Sequence, residues 1–147
     1  DKYLKGCDFE NSYIGDLLGH TFKVRPDALN LETSTIIDLK CVSNASKSGF
    51  LKTFANLKYY MQAYIYKNVL GIQNFYFIAI ENKEPYTIGI YEADFLSMEL
   101  AESELKKALD IYNNIDSVKN IYKEKHAKDD LEAQMLTLPN WVFYEND

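Results

Sequence analysis

Thr35-Ile36-Ile37-Asp38-Leu39-Lys40-Cys41-Val42 reads as a buried β-strand that carries two charges. Its β-branched and apolar residues favour an enclosed, pleated segment. Alternate residues of a strand share a face, so Asp38 and Lys40 point the same way. An unpaired charge in so apolar a strand is costly, which leaves a buried Asp–Lys pair or a strand end open to water. Taken alone, Asp-x-Lys is a pattern that chance produces constantly.

Working upstream, Asp8 to Gly15 is a weak first strand. His20 to Ala28 alternates through Phe22 and Val24 and reads as a strand with Pro26 near its end. Asn30 to Ser34 is polar and turn-like. Asp27 lies eleven positions before Asp38. A hairpin turning near Leu31 to Thr33 brings the two carboxylates close together. Carboxylates held side by side repel each other and need a cation to stay ionised. Hard oxygen ligands of this kind suit Mg²⁺ or Mn²⁺, with water and a substrate phosphate completing the shell. A neighbouring lysine orients the attacking water and offsets charge developing on phosphorus.

Downstream, Asn44 to Gly49 is a loop of small polar residues. From Phe50 to Val69, Phe54, Leu57, Met61, Tyr64, Ile65 and Val69 recur at helical spacing, and Gly71 supplies the stop. This predicts one long amphipathic helix. Phe75 to Ile80 and Tyr86 to Tyr91 are strands, joined by hairpin chemistry at Asn82 to Pro85. Ala93 to Tyr112 is a second helix with Leu96, Leu100, Leu105 and Leu109 along its apolar line. A charged stretch from Lys123 to Asp130 then precedes the apolar Leu136 to Trp141. The order of elements gives an α/β (α+β) fold, a mixed β-sheet flanked by helices.

The chain has 147 residues, the size of one domain, with 47% hydrophobic and 26% charged residues. No stretch approaches the run of about 20 apolar residues that a membrane span needs. Cys7 and Cys41 have no metal-ligand spacing, so two unlinked thiols and a reducing, cytoplasmic setting are expected. The net charge of -6 argues at first against nucleic acid. Charge is local, however, and from Lys40 to Lys67 there are five lysines and no acid. Lys47, Lys52 and Lys58 are the candidates for guiding a phosphate backbone. Tyr59 and Tyr60 have faces on which bases stack, but core packing or a helix face explains them better.

Val24-Arg25-Pro26-Asp27 followed by Ile37-Asp38-Leu39-Lys40 resembles the PD…(D/E)xK signature of the restriction-endonuclease-like nucleases. Gln62-Ala63-Tyr64-Ile65-Tyr66 resembles the Q-x-x-x-Y element of the RecB-type branch, which includes the lambda exonuclease relatives. One helical turn separates Gln62 from Tyr66, which puts them on one face. Within that branch the likeness is greatest to the C-terminal nuclease domain of exodeoxyribonuclease VIII and its prophage relatives. It runs from about Asp8 to the end and includes Leu138-Pro139-Asn140-Trp141 and Tyr144-Glu145-Asn146-Asp147.

The resemblance implies Mg²⁺-dependent exonuclease action on the ends of linear double-stranded DNA. It also implies a ring-like homo-oligomer and a single-strand annealing partner. Carried over to this chain, Asp27 and Asp38 bind metal with the Leu39 carbonyl, and Lys40 positions the water. Gln62 and Tyr66 hold the active-site helix and meet the phosphate, and Glu10 is an acidic group behind the metal ligands. One element departs from the pattern, because RecB-type enzymes carry a metal-binding His on a helix well upstream of the PD element. His20 lies only seven residues before Asp27, and His126 falls in a charged tail. Asp1 is not a natural start, and the expectation is a single nuclease domain, residues 1–147, whose upstream helical part is missing. Two rival readings keep the fold: an endonuclease, and a module that binds DNA or a partner without cutting.

Overall fold

The centre of the computed structural model, which describes residues 3–115, is a five-stranded sheet in the order β1-β4-β5-β6-β7. Its strands are β1 (Asp8–Phe9), β4 (Ala28–Asn30), β5 (Thr35–Val42), β6 (Asn74–Glu81) and β7 (Ile88–Tyr91). A separate hairpin is made by β2 (Tyr13–Leu17) and β3 (His20–Val24). The sheet is mixed, with β5 and β6 parallel and every other pair antiparallel. A parallel pair needs a crossover, supplied here by α1 (Lys47–Asn56) and α2 (Tyr59–Leu70). The helix α3 (Phe95–Asn113) follows the sheet. The chain divides into two compact units, Asp1–Asp110 and Ile111–Asp147, and the described elements belong to the first except for the last residues of α3. The expectations for Lys123 to Asp130, His126 and Leu136 to Trp141 lie outside the described residues.

The strand expected over His20 to Ala28 is two strands in different sheets. Pro26 has no N–H for a ladder and is fully buried, so Arg25-Pro26-Asp27 forms a break that sends β4 into the main sheet. The first strand is likewise divided, β1 joining the main sheet and β2 the hairpin. Gly15 on β2 lies against α2 so closely that a Cβ there would come within 3.0 Å of the Val69 carbonyl.

The single long helix is also broken. Ser46 caps α1, its hydroxyl accepting from the Gly49 N–H at 3.2 Å, so the helix begins inside the predicted loop. Lys58 then takes a left-handed conformation, φ 53°, between α1 and α2. Its ammonium pairs with Glu104 of α3 at 2.8 Å, and the Tyr60 hydroxyl donates to the same carboxylate at 3.0 Å. Leu57, assigned to the apolar stripe, is 60% exposed at the break. Gly71 closes α2 in the left-handed region, as its sequence position predicts.

The core lies between the sheet and the helices. Ile36, Val42, Phe75, Phe77 and Ala79 meet Phe50, Phe54, Tyr60 and Ala63. From α3 the buried residues are Ala101 and Leu105, while Leu96 and Leu100 are exposed. The apolar line of that helix therefore runs through Met98, Ala101 and Leu105, so that of the suggested leucines Leu105 lies on it and Leu96 and Leu100 do not. Cys7 and Cys41 are unlinked.

The β4–β5 hairpin turns where the sequence placed it, with Asn30 opposite Thr35. Buried Asn30 ties that turn together. Its amide donates to the Lys5 carbonyl at 3.0 Å, and its side-chain oxygen accepts from the Thr33 N–H at 2.9 Å. Asn30→Ala leaves both backbone groups without these partners, and a loss of about 1–3 kcal/mol is expected in urea unfolding. A change within error would mean that the turn holds without Asn30.

Candidate active site

The hairpin register decides which acids meet. Ala28 pairs with Ile37, so one step further puts Asp27 opposite Asp38. At that step the ladder gives way to a side chain: the Leu39 N–H donates to Asp27 Oδ2 at 2.6 Å. A strand residue's N–H and C=O face the same neighbour, so the Leu39 carbonyl is turned toward the side where Asp27 lies. Leu39 itself points its side chain away from the helices, whereas Asp38 and Lys40 face them. In the parallel register Asp38 stands beside Phe77 and Lys40 beside Ala79, on the core side of the sheet.

From α2, Gln62 reaches down to this pair. Its Nε2 donates to Asp38 Oδ2 at 2.5 Å, and its Oε1 accepts from Lys40 Nζ at 3.0 Å. The amide is oriented by its partners, since an ammonium only donates and a carboxylate only accepts. Lys40 Nζ also pairs with Asp38 Oδ1 and lies 4.5 Å from the centre of the Tyr59 ring. The Asp38 side chain is 3% exposed and that of Lys40 16%. Asp38 Oδ1 is buried without a well-directed hydrogen bond, having only the lysine charge against it.

Burial pushes the Asp38 carboxyl above its ordinary range. The Lys40 ammonium opposes that rise, the Asp27 carboxylate adds to it, and the Gln62 amide draws it down. A second positive charge at Asp38 Oδ1 would relieve both the burial and the repulsion from Asp27. Among the described residues, no group of three or more His, Cys, Asp and Glu side chains is placed to hold a metal. The donors on hand are two carboxylates and one backbone carbonyl, all hard oxygens. That set fits Mg²⁺ or Mn²⁺, which keep several waters, better than a zinc site built from nitrogen and sulfur.

The remaining sequence candidates fall elsewhere. Glu10 donates its N–H to the Asp27 carbonyl at 3.2 Å, which sets its backbone beside the metal-ligand candidate, but φ of 55° takes it out of extended geometry. Its carboxylate pairs with Arg25 at 3.2 Å on the surface. Tyr66 sits one turn beyond Gln62, and its ring meets Phe75 edge-on at 6.2 Å. His20 opens β3, opposite Leu17 in the hairpin. Of the guiding lysines, Lys47 and Lys52 are exposed on α1, while Lys58 is engaged by Glu104. Sequence reasoning passed over Tyr59 as a partner of Lys40. The available signal was its position three residues before Gln62, which on a helix means the same face.

The sequence of residues 1–129 matches the family described as "PDDEXK-like domain of unknown function (DUF3799)". No curated protein matches the sequence significantly. Among solved structures, a candidate exonuclease from Eubacterium rectale superposes with a TM-score of 0.61 at 14% identity, over 99% of this chain. This chain spans 59% of that protein's length, and at such identity the likeness shows the fold alone. A second structure, of the protein SSO0001, is 22% identical over 68% of this chain and 50% of that one, with a TM-score of 0.40, and carries no argument. The restriction-endonuclease-like sheet, with acids and lysine on its core face, and a family match covering most of the sequence agree: the chain belongs to the PDDEXK-like family DUF3799.

Proposed function

We propose that this chain is a metal-dependent deoxyribonuclease that hydrolyses phosphodiester bonds of linear double-stranded DNA. The reading rests above all on Asp27, Asp38, Lys40 and Gln62 converging where β4 begins beside β5. Asp27, Asp38 and the Leu39 carbonyl would hold Mg²⁺ or Mn²⁺. When bound, such an ion polarises a phosphate oxygen and acidifies a water. Lys40 orients the attacking water and offsets the negative charge that grows on phosphorus. Gln62 fixes Asp38 and Lys40 in one orientation, and Tyr66 steadies α2 against β6. Lys47 and Lys52 meet the DNA backbone on the way in. The buried Asp38 carboxyl, pushed upward by its burial and with Oδ1 lacking a well-directed hydrogen bond, supports chemistry over a non-catalytic binding role.

Exonuclease action is the finer part of the proposal. It draws support from the Q-x-x-x-Y resemblance and from the description of the Eubacterium rectale protein. A cytoplasmic role in recombination, a ring-like homo-oligomer and a single-strand annealing partner belong to the same proposal. No helix among the described residues is long and apolar enough to cross a membrane. The test sets linear duplex DNA beside closed circular DNA, with Mg²⁺ or Mn²⁺ and a Lys40→Ala control. Loss of linear DNA only, abolished by chelator and reduced roughly a hundred-fold or more by the substitution, is the expected result. Cutting of circles would make the enzyme an endonuclease, and no cutting of either would leave a DNA-binding module.

A further inference from the structure

The Lys40 ammonium has a third neighbour besides Asp38 and Gln62. Its nitrogen lies 4.5 Å from the centroid of the Tyr59 ring, where the π-face attracts a cation. That ring is not free to drift. It stacks on Phe77 at 5.8 Å and 20°, and leans on Phe50 at 6.2 Å. Phe50 in turn stacks on Tyr91 at 4.9 Å and 14°, and the Tyr91 hydroxyl donates to the Ala45 carbonyl at 2.6 Å. A chain of rings therefore runs from β7 to the lysine.

The same helical turn supplies both groups that flank the ammonium. Tyr59 opens α2 and Gln62 follows three residues later, on the same face. The left-handed break at Lys58, held to α3 through Glu104, sets the direction in which that turn starts. A lysine side chain has a long flexible stem and a strongly hydrated head, so a fixed position must be imposed on it. Asp38 and Gln62 constrain the ammonium by hydrogen bonding and charge. The ring confines it from another side without accepting one of its protons in a conventional hydrogen bond.

We infer that Tyr59 is a positioning residue, its ring face holding the Lys40 ammonium in register with Asp38 and Gln62. This rests on the nuclease reading above. The hydroxyl of Tyr59 is not required for the role, whereas the negative face of the ring is. Tyr59→Leu keeps much of the apolar bulk and removes the face. It should lower kcat on linear DNA by roughly ten-fold, a contact of partly dehydrated strength, with KM changed less than about two-fold. Tyr59→Phe should restore most of that loss.

The decisive series replaces Tyr59 with phenylalanine carrying successively more ring fluorines, which drains the face of charge while hardly altering its shape. The logarithm of kcat should fall stepwise along the series, while the unfolding temperature stays nearly level. A purely structural Tyr59 would give a flat series. In the metal-free protein, the Lys40 ε-methylene protons should resonate upfield through the ring current, and lose that shift in Tyr59→Leu. A parent that cuts DNA, with a flat fluorine series or with the Lys40 shift absent, overturns the role of Tyr59 alone. A parent that cuts no DNA overturns the nuclease reading and this inference with it.

Discussion

Asp38→Asn should give a protein that is more stable than the parent at neutral pH and no longer cuts DNA. The stability half follows from the raised carboxyl of Asp38, which burial disfavours in its charged form. The folded state holds the Asp38 proton more tightly than the unfolded chain does. The stability associated with that proton is complete below the unfolded carboxyl value and is lost as pH rises through the folded one. Asparagine is neutral throughout, so it escapes the loss. Its advantage should be absent in acid, grow as pH rises through the folded value, and stay level above it. The attraction of Lys40 is already part of this balance, since the shift is upward in spite of it.

Added Mg²⁺ reverses the comparison. An ion bound only by the folded protein raises stability by about 1 kcal/mol at roughly five times its Kd. Thermal unfolding of the parent should rise with Mg²⁺, and that of Asp38→Asn should not. Cleavage should fall by roughly a hundred-fold or more, because the substitution removes a carboxylate that would hold the metal ion. Melting curves from pH 4 to pH 8, with and without Mg²⁺, check both halves. A variant less stable than the parent at neutral pH would sink the burial argument. A variant that still cuts at the parent's rate would remove Asp38 from the chemistry.

Phe77→Ala should be the most damaging substitution in the core. Phe77 is 0% exposed and touches four rings, Phe50, Phe54, Tyr59 and Phe75, at centroid distances of 5.9, 5.7, 5.8 and 4.8 Å. Truncating a buried phenylalanine costs about 3–5 kcal/mol through lost transfer energy and the cavity left behind. For a chain of this size that lowers Tm by about 10 °C or more. Phe77 also stands beside Asp38 in the parallel register, so its loss loosens the ring that borders Lys40. Phe77→Leu, which keeps part of the volume, should cost distinctly less. Urea unfolding of the two variants measures the difference, and a loss below about 1 kcal/mol for alanine would place the core's centre elsewhere.

Much of this molecule is legible in one dimension because its signals are local. Strand β5 announces itself by β-branched residues, and the two charges inside it mark it as unusual. The β4–β5 hairpin needs only a polar turn of the right length, and that turn fixes Asp27 opposite Asp38. Lys40 follows from the two-residue period of a strand, and Gln62 from the family pattern on the next helix. The end of α2 at Gly71 is equally local, a residue suited to a left-handed cap.

What the sequence left undecided depends on contacts distant along the chain. The helix break at Lys58 has no glycine or proline to signal it, and it is held by Glu104, 46 residues away. The division of the early strands between two sheets depends on where β1 finds its edge, beside β4. The direction of the Glu10 carboxylate is set by a positive φ and by Arg25, not by its place in the sequence before Asp27. Tyr59 meets Lys40 only because α2 crosses back over β5 after that break. Periodicity fixed which residues share a face of each element. The packing of α3 and the rings of β6 and β7 decided where each face points, because burial of apolar surface is satisfied only when all the elements are in place.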